Sequence, residues 1–387
     1  AGGSWGGGKW TGAPPDDRAA ESSLGNLVAE SIRDTLSALG ADIGVTNPGG
    51  LRAELYATQA AFGENAVAGL EDGQISYSQA LAVLPFNNTM GLITLTGAQL
   101  DKLFEQQWQR NAAGEVPSRA YLQLGLSDNV TYTFDADRAE GDRITSITID
   151  GVPVDPAAEY RVGTLSFLAQ GGDNFRAFTE GADYVDTGLL DYEAWVSYLQ
   201  SRSTAAAAPA TFAVDAAATA QALDPSFAKH AVQVQGATTV AAGGAFELTV
   251  SNLDLTSLGT PETTQLDVWL GDTIAQTVPV RDGSARVSIP VPADAQAGTD
   301  VIVLTTANGT EVTVPVTVGA PSGENPGQTP GEETPGAVPP ASGSAGGNDL
   351  ATTGVDFPWG LAVGAVVLMI AGGLVLVLRK RRVGVDS

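Results

Sequence analysis

Apolar residues recur at helical spacing at Leu24, Leu27, Val28, Ile32 and Leu36, behind serines able to cap and ahead of Gly40, which predicts a helix closed by a turn. Ile43 to Thr46 then reads as a short strand. Leu92 to Leu95, Tyr121 to Gly125, Val130 to Phe134 and Ile144 to Ile149 predict further strands, while Ala98 to Trp108 and Tyr192 to Leu199 predict helices. Strands in runs with helices between and around them argue for an α+β (layered α/β) domain over residues 16–202. Residues 1–15 are Gly-rich and read as a flexible lead-in, and an Ala-rich spacer occupies 203–228. From 229 to 319 the pattern is β only, with strands expected at Phe246 to Val250, Leu266 to Leu270, Ala285 to Ile289, Val301 to Thr305 and Val312 to Val318. Short strands separated by turn residues over this length fit an all-β immunoglobulin-like sandwich.

The last part of the chain is patterned differently. Residues 320–349 are rich in Pro, Gly, Ser and Glu, too polar to bury a core, and predict a disordered linker. Residues 357–378 are uninterrupted by charge, long enough as one transmembrane helix to span roughly 33 Å. Arg379, Lys380, Arg381 and Arg382 follow, which places that end in the cytoplasm. Leu350, Ala351, Thr352, Thr353 and Gly354 stand just before the apolar run. Pentapeptide, apolar helix and basic tail together, spanning 350–387, resemble a sortase sorting signal of the Leu-Ala-x-Thr-Gly type found in high-GC Gram-positive bacteria. The resemblance implies cleavage between Thr353 and Gly354, sortase and peptidoglycan as partners, the membrane as a partner before sorting, and a cell-wall-anchored location at the cell surface. The chain begins at Ala1 without a signal peptide, so its N-terminus reads as truncated or processed.

Composition narrows the chemistry. The net charge is −25, so the overall field repels nucleic acid, and a nucleic-acid polymer is not an expected partner. A small anion can still bind where arginines override that field locally. There are no cysteines and one histidine, His230, which excludes thiol catalysis and leaves a Ser-His-Asp triad or a histidine-rich metal centre without donors. His230 itself, at the edge of the expected sandwich, reads as structural or exposed.

Three separated segments carry the candidate chemistry: Asn47-Pro48-Gly49-Gly50-Leu51-Arg52, Leu84-Pro85-Phe86-Asn87-Asn88, and Phe167 through Asp173 to Phe175. With Arg18 to Asn26, Tyr121-Leu122-Gln123 and Gly141-Asp142-Arg143-Ile144 they form an ordered set that resembles the C-terminal, substrate-binding domain of the 5'-nucleotidase family, over about residues 16–200. Phe86 and Phe167 can stack a flat base at about 1 to 3 kcal/mol per ring. Asn47 can read a base edge, Asp173 can accept from vicinal ribose hydroxyls, and Arg18 and Arg52 offer planar forks to phosphate oxygens. Each has a plainer reading: core packing for the rings, a turn for Asn47, a cap for Asp173, surface ion pairs for the arginines. The stretch from Ala53 to Ile75 reads as a flap or a tolerated insertion.

The resemblance implies hydrolysis of nucleotide phosphate esters by two divalent metal ions bound in a separate N-terminal domain, with no cofactor bound by this chain. The expectation is therefore the recognition half of a phosphohydrolase, inactive in isolation. The alternative is a non-catalytic nucleotide-binding or adhesive surface module.

Overall fold

The computed structural model describes residues 17–56, 58–202, 228–255, 262–271 and 273–319, together with short strand segments at 4–6, 9–11 and 217–218. Helix α1 (Ser23–Leu36) starts where Ser22 Oγ accepts from the Gly25 amide at 3.1 Å, satisfying one of the donors left over at a helix start. It buries Leu24, Val28, Ile32 and Leu36 along one face, as the sequence period demands. Helices α2 (Tyr77–Val83) and α3 (Gly97–Glu105) each begin with a reciprocal capping box, Ser76 with Gln79 and Thr96 with Gln99. A short helix α4 (Ser166–Ala169) and a longer α5 (Asp191–Arg202) follow along the chain.

A five-stranded sheet runs in the order Ala182–Leu190, Thr89–Thr96, Glu159–Leu165, Ile43–Thr46, Gly125–Leu126. Ile43–Thr46 lies parallel to Glu159–Leu165, and the other pairings are antiparallel. Both faces are covered. Met90, Leu92 and Leu165 join a core with residues of α1, α2 and α5, while Ile93, Leu95 and Val162 join a second core containing α3. Burial on both sides explains why Ile43–Thr46 lacks polar alternation. The domain thus has the expected α/β character.

Several local expectations shift. The helix expected over Ala98 to Trp108 ends at Glu105, because the Glu105 carboxylate turns to accept the Gly141, Arg143 and Ile144 amides. Of the strand expected over Tyr121 to Gly125 only Gly125 joins a ladder, as part of Gly125–Leu126. Upstream of it, the Leu122 and Gln123 amides are taken by the carbonyls of Gln107 and Arg18. Helix α2 and the strands Glu159–Leu165 and Ala182–Leu190 have no counterpart among the elements expected from the sequence pattern. The 53–75 stretch is pinned down: Phe62 is buried against Tyr56 edge to face, and Gln79 Nε2 donates to the Asn65 carbonyl at 2.9 Å. Within the lead-in, Ser4–Gly6 pairs antiparallel with Lys9–Thr11.

The β-only region forms two sheets about a shared core that includes Val234, Phe246, Leu248, Leu266, Ile302 and Val314. One sheet does not stop at the region's boundary. Ala231–Gly236 pairs antiparallel with Ala245–Ser251 on one side and parallel with Val130–Phe134 of the α/β domain on the other. No helix among the described residues is long and apolar enough to cross a membrane. The expected span at 357–378, the linker at 320–349 and the Leu350 to Gly354 pentapeptide lie outside the described residues.

Candidate functional site

The sheet brings the three candidate segments to one end of its strands. Ile43–Thr46 and its parallel neighbour Glu159–Leu165 end on the same side, delivering the Asn47 loop and the Phe167 to Asp173 segment. The antiparallel strand Thr89–Thr96 starts there, with Met90 opposite Leu165, so the Phe86 loop enters from that side too. Loops at the carboxyl ends of parallel strands are where open α/β sheets present ligand-binding groups.

At the centre, Asn47 is 3% exposed and its Nδ2 donates to Asp173 Oδ2 at 2.6 Å. A Cβ placed on Gly49 would lie 3.0 Å from Asp173 Oδ2 and 3.1 Å from both Arg18 Nη1 and Asn47 Nδ2. Any larger residue there would press on all three side chains where they close over the backbone. Asp173 and Asn174 both adopt left-handed backbone, φ 50° and 63°, a conformation tolerated by Asp and Asn but costly for most residues. That local strain aims the Asp173 carboxylate at Asn47 and not out to solvent as a helix cap.

The two rings are half exposed, Phe86 at 54% and Phe167 at 45%, so neither is core. The Phe167 ring lies over Gly172, where any Cβ would meet it at 2.5 Å, and this seats the ring beside Asp173. Phe86 pairs with Arg52, whose guanidinium carbon stands 5.7 Å from the ring centroid. The Arg52 amide donates to the Val83 carbonyl at 3.0 Å, tying the Asn47 loop to the end of α2 just before Phe86. On the far side of Phe86, Asn88 Nδ2 donates to Asp191 Oδ2 at 3.0 Å, anchoring the loop to α5. All six residues singled out from the sequence therefore lie beyond one end of the strands, with Phe167 in the short helix α4 and the others on turns and loops. Arg18, Asn47, Asp173 and Phe167 form one connected group, and Arg52 with Phe86 a second, joined through the 47–52 loop.

A cavity of about 100 Å³ opens under the Asn47 loop, lined by Arg18, Ser22, Thr46, Asn47, Glu54 and Gln123 among others. Asn47 Oδ1 and Thr46 Oγ1 are buried and have no hydrogen-bond partner. Unsatisfied buried acceptors and hydroxyls are costly and therefore informative, since a bound molecule or water can satisfy them. Local burial also raises the Glu54 carboxyl above its ordinary value, although the residue as a whole is solvent exposed. Thr46, Gly49 and Glu54 were not candidates from sequence. The orphaned Thr46 hydroxyl had no signal there, whereas Gly49 stood inside a motif already noted. Among the described residues no group of three or more His, Asp or Glu side chains is placed to hold a metal ion, and His230 is buried away from this site at the start of the β-only region.

The fold and this gathering of side chains define a layered α/β domain with the candidate groups at one end of its sheet. Residues 8–180 match the 5'-nucleotidase, C-terminal domain family. The chain is 31% identical over 191 residues to the trifunctional nucleotide phosphoesterase protein YfkN of Bacillus subtilis, a match covering 47% of this chain and 12% of that protein. It is 33% identical over 198 residues to the cell wall protein Lmo0130 of Listeria monocytogenes, covering 49% and 23%. Among solved structures, a 5'-nucleotidase precursor from Thermus thermophilus aligns at 30% identity and TM-score 0.38, covering 48% of this chain and 34% of that one. The chain thus spans less than a quarter of the length of either of these curated relatives.

Proposed function

We propose that residues 16–202 are the nucleotide-recognition part of a surface 5'-nucleotidase-type phosphohydrolase that releases phosphate from nucleotides. The observation that carries this is the half-buried Asn47 to Asp173 hydrogen bond, with Arg18 beside it and two half-exposed rings on the flanking segments. A nucleoside placed there has its base between Phe86 and Phe167, a base edge at the Asn47 amide and its ribose hydroxyls at Asp173. Arg18 and Arg52 then face the anionic end, where charge-assisted bonds favour phosphate against the chain's acidic background. Holding the ester in one pose is the domain's share of catalysis.

Activating water at neutral pH takes several convergent donors, and the sequence supplies one histidine and no cysteine. In this reading the two divalent metal ions and the chemistry reside outside these 387 residues. The chain alone should bind adenosine or AMP and release no phosphate with added manganese or zinc. Calorimetric titration and a phosphate-release assay on the same preparation test this; metal-dependent turnover lost on Arg52→Ala would refute the division of labour.

The location is part of the proposal: wall anchoring through Leu350, Ala351, Thr352, Thr353 and Gly354, after a membrane-spanning stage at 357–378. Mass spectrometry of wall-released protein should find Thr353 as its last residue. An intact Thr353 to Gly354 bond in most mature protein would sink the idea.

A further inference from the structure

Where Ala231–Gly236 joins the α/β domain, it carries a buried ion pair that no ligand contact requires. Lys229 Nζ stands 2.8 Å from Glu21 Oε2, with both side chains almost wholly buried. Glu21 accepts three more bonds, from Asn26 Nδ2 and the His230 amide on Oε1 and from the Ala231 amide on Oε2, at 2.9, 2.8 and 3.2 Å. Every acceptor position of the carboxylate is therefore engaged. Burial alone would raise the Glu21 carboxyl, but Lys229 and His230 outweigh it and hold it below its ordinary value.

The bonds continue toward the cavity. Asn26 Oδ1 accepts the Leu126 amide at 3.1 Å, holding the strand beside Ile43–Thr46. The Arg18 carbonyl accepts the Gln123 amide at 2.9 Å, Gln123 Nε2 donates to the Tyr132 hydroxyl at 3.1 Å, and the Tyr132 amide donates to the His230 carbonyl at 2.8 Å. Segments 18–26 and 123–126 are thus tied to 229–231 from both ends. These two segments supply Arg18, Ser22, Gly25, Gln123 and Gly125 to the cavity lining.

We propose that Lys229 is a positioning residue for the nucleotide site, acting through Glu21 to hold the Arg18 to Asn26 segment, and with it the Arg18 guanidinium, at the Asn47 to Asp173 pair. The proposal rests on the nucleotide reading above. It makes the first strand of the β-only region a working part of the pocket floor and not a mere spacer. Without the ammonium, Glu21 is an uncompensated buried charge, and it relaxes either by moving its segment or by taking up a proton.

The test is AMP titration of the full chain from pH 5.5 to 8.5, as unaltered protein, Lys229→Met, and Lys229→Met with Glu21→Gln. Lys229→Met should bind about tenfold more weakly at pH 8 and recover as the pH falls, because protonating Glu21 replaces the missing cation. The titratable groups facing Glu21 are Lys229, His230, Tyr121 and Tyr132. The double variant keeps His230 and both tyrosines, so loss of the pH dependence in it assigns the effect to Glu21. Hydrogen exchange of Lys229→Met should rise in 17–26 and 123–126 while Ala245–Ser251 and Ala285–Pro290 keep their protection. If Lys229→Met does not fold, Lys229→Arg, which keeps the cation but displaces the carboxylate, should weaken binding severalfold without new pH dependence; unaltered affinity in it overturns the proposal. Equal binding by Lys229→Met and the unaltered chain at every pH overturns it as well. No AMP binding by the unaltered chain overturns the nucleotide reading, and this one with it.

Discussion

Asn47→Asp changes one atom type and leaves the shape of the side chain intact, which makes it a sharp probe of the site. The present amide donates to Asp173 Oδ2 at 2.6 Å from a position that is 3% exposed. The substitution removes a hydrogen bond to a charged group, about 1.5 to 3 kcal/mol. It also sets a second carboxylate against the first, and two unit charges about 4 Å apart repel by about 4 kcal/mol at an effective dielectric near 20. The pair escapes most of that repulsion by retaining one proton, as carboxylates sharing a site do, at a cost of about 1.4 kcal/mol for every tenfold change in the protonation equilibrium. The sign follows: the pair's folded pKa lies above the unfolded value, so the charge penalty is absent below about pH 4 and grows as the pH rises toward the raised pKa. We expect Asn47→Asp to cost about 2 to 4 kcal/mol at pH 8 and clearly less at pH 4.5. Adenosine binding should follow the same pH trend, because Asp173 is then turned from the ribose. Urea unfolding at the two pH values, with Asn47→Ala as the uncharged control, measures the difference. A loss in Asn47→Asp that is flat with pH, or matched by Asn47→Ala at both, would mean that Asn47 and Asp173 do not face one another.

Phe86→Ala and Phe167→Ala should each weaken adenosine binding by about 1 to 3 kcal/mol, read by calorimetry, while thermal unfolding moves little because both rings are half exposed. Unchanged affinity in both would take the base out of this site. Elsewhere on the domain, burial, with Glu105 and Asp142 nearby, pushes the Asp101 carboxyl up to about 6. Its folded pKa exceeds the unfolded one, so ionisation costs stability as the pH rises from about 4 to about 6. Asp101→Asn should therefore be more stable than the unaltered chain at pH 7.5 by about 1 kcal/mol, after allowing for solvent around a partly exposed group, and no more stable near pH 4. Equal stability at pH 7.5 would count against this.

What the sequence disclosed and what it hid divide along physical lines. The helix at Leu24 to Leu36 and the strand at Val130 to Phe134 were legible because each buries one repeating face or a dense apolar run. Ala182–Leu190 was not, because it is a sheet edge with nearly every position exposed, so burial imposes no alternation on it. Glu159–Leu165 was hidden for a different reason: it begins on exposed polar residues and ends in a buried core, blurring any period. The six site residues were found through motif order, since loops carry no hydrophobic pattern. Thr46 was missed because nothing in its spacing says that its hydroxyl is buried without a partner.

The boundary near residue 229 shows the deeper limit. A change from mixed to β-only pattern locates where one kind of packing gives way to another, and the separate cores on either side agree with it. Hydrogen bonding obeys a different rule, for on its side away from Ile144–Ile149 the strand Val130–Phe134 presents donors and acceptors that some neighbour must satisfy. Here Ala231–Gly236 does so in parallel register, with Ala231 opposite Tyr132, a pairing between residues about a hundred positions apart that no local pattern encodes. Once that strand is in place, Lys229 and the His230 and Ala231 amides fall on Glu21, three residues from Arg18. A change of domain in the sequence can thus coincide with continuity of the sheet, and at this junction the continuity reaches, through Glu21, the segment that carries Arg18.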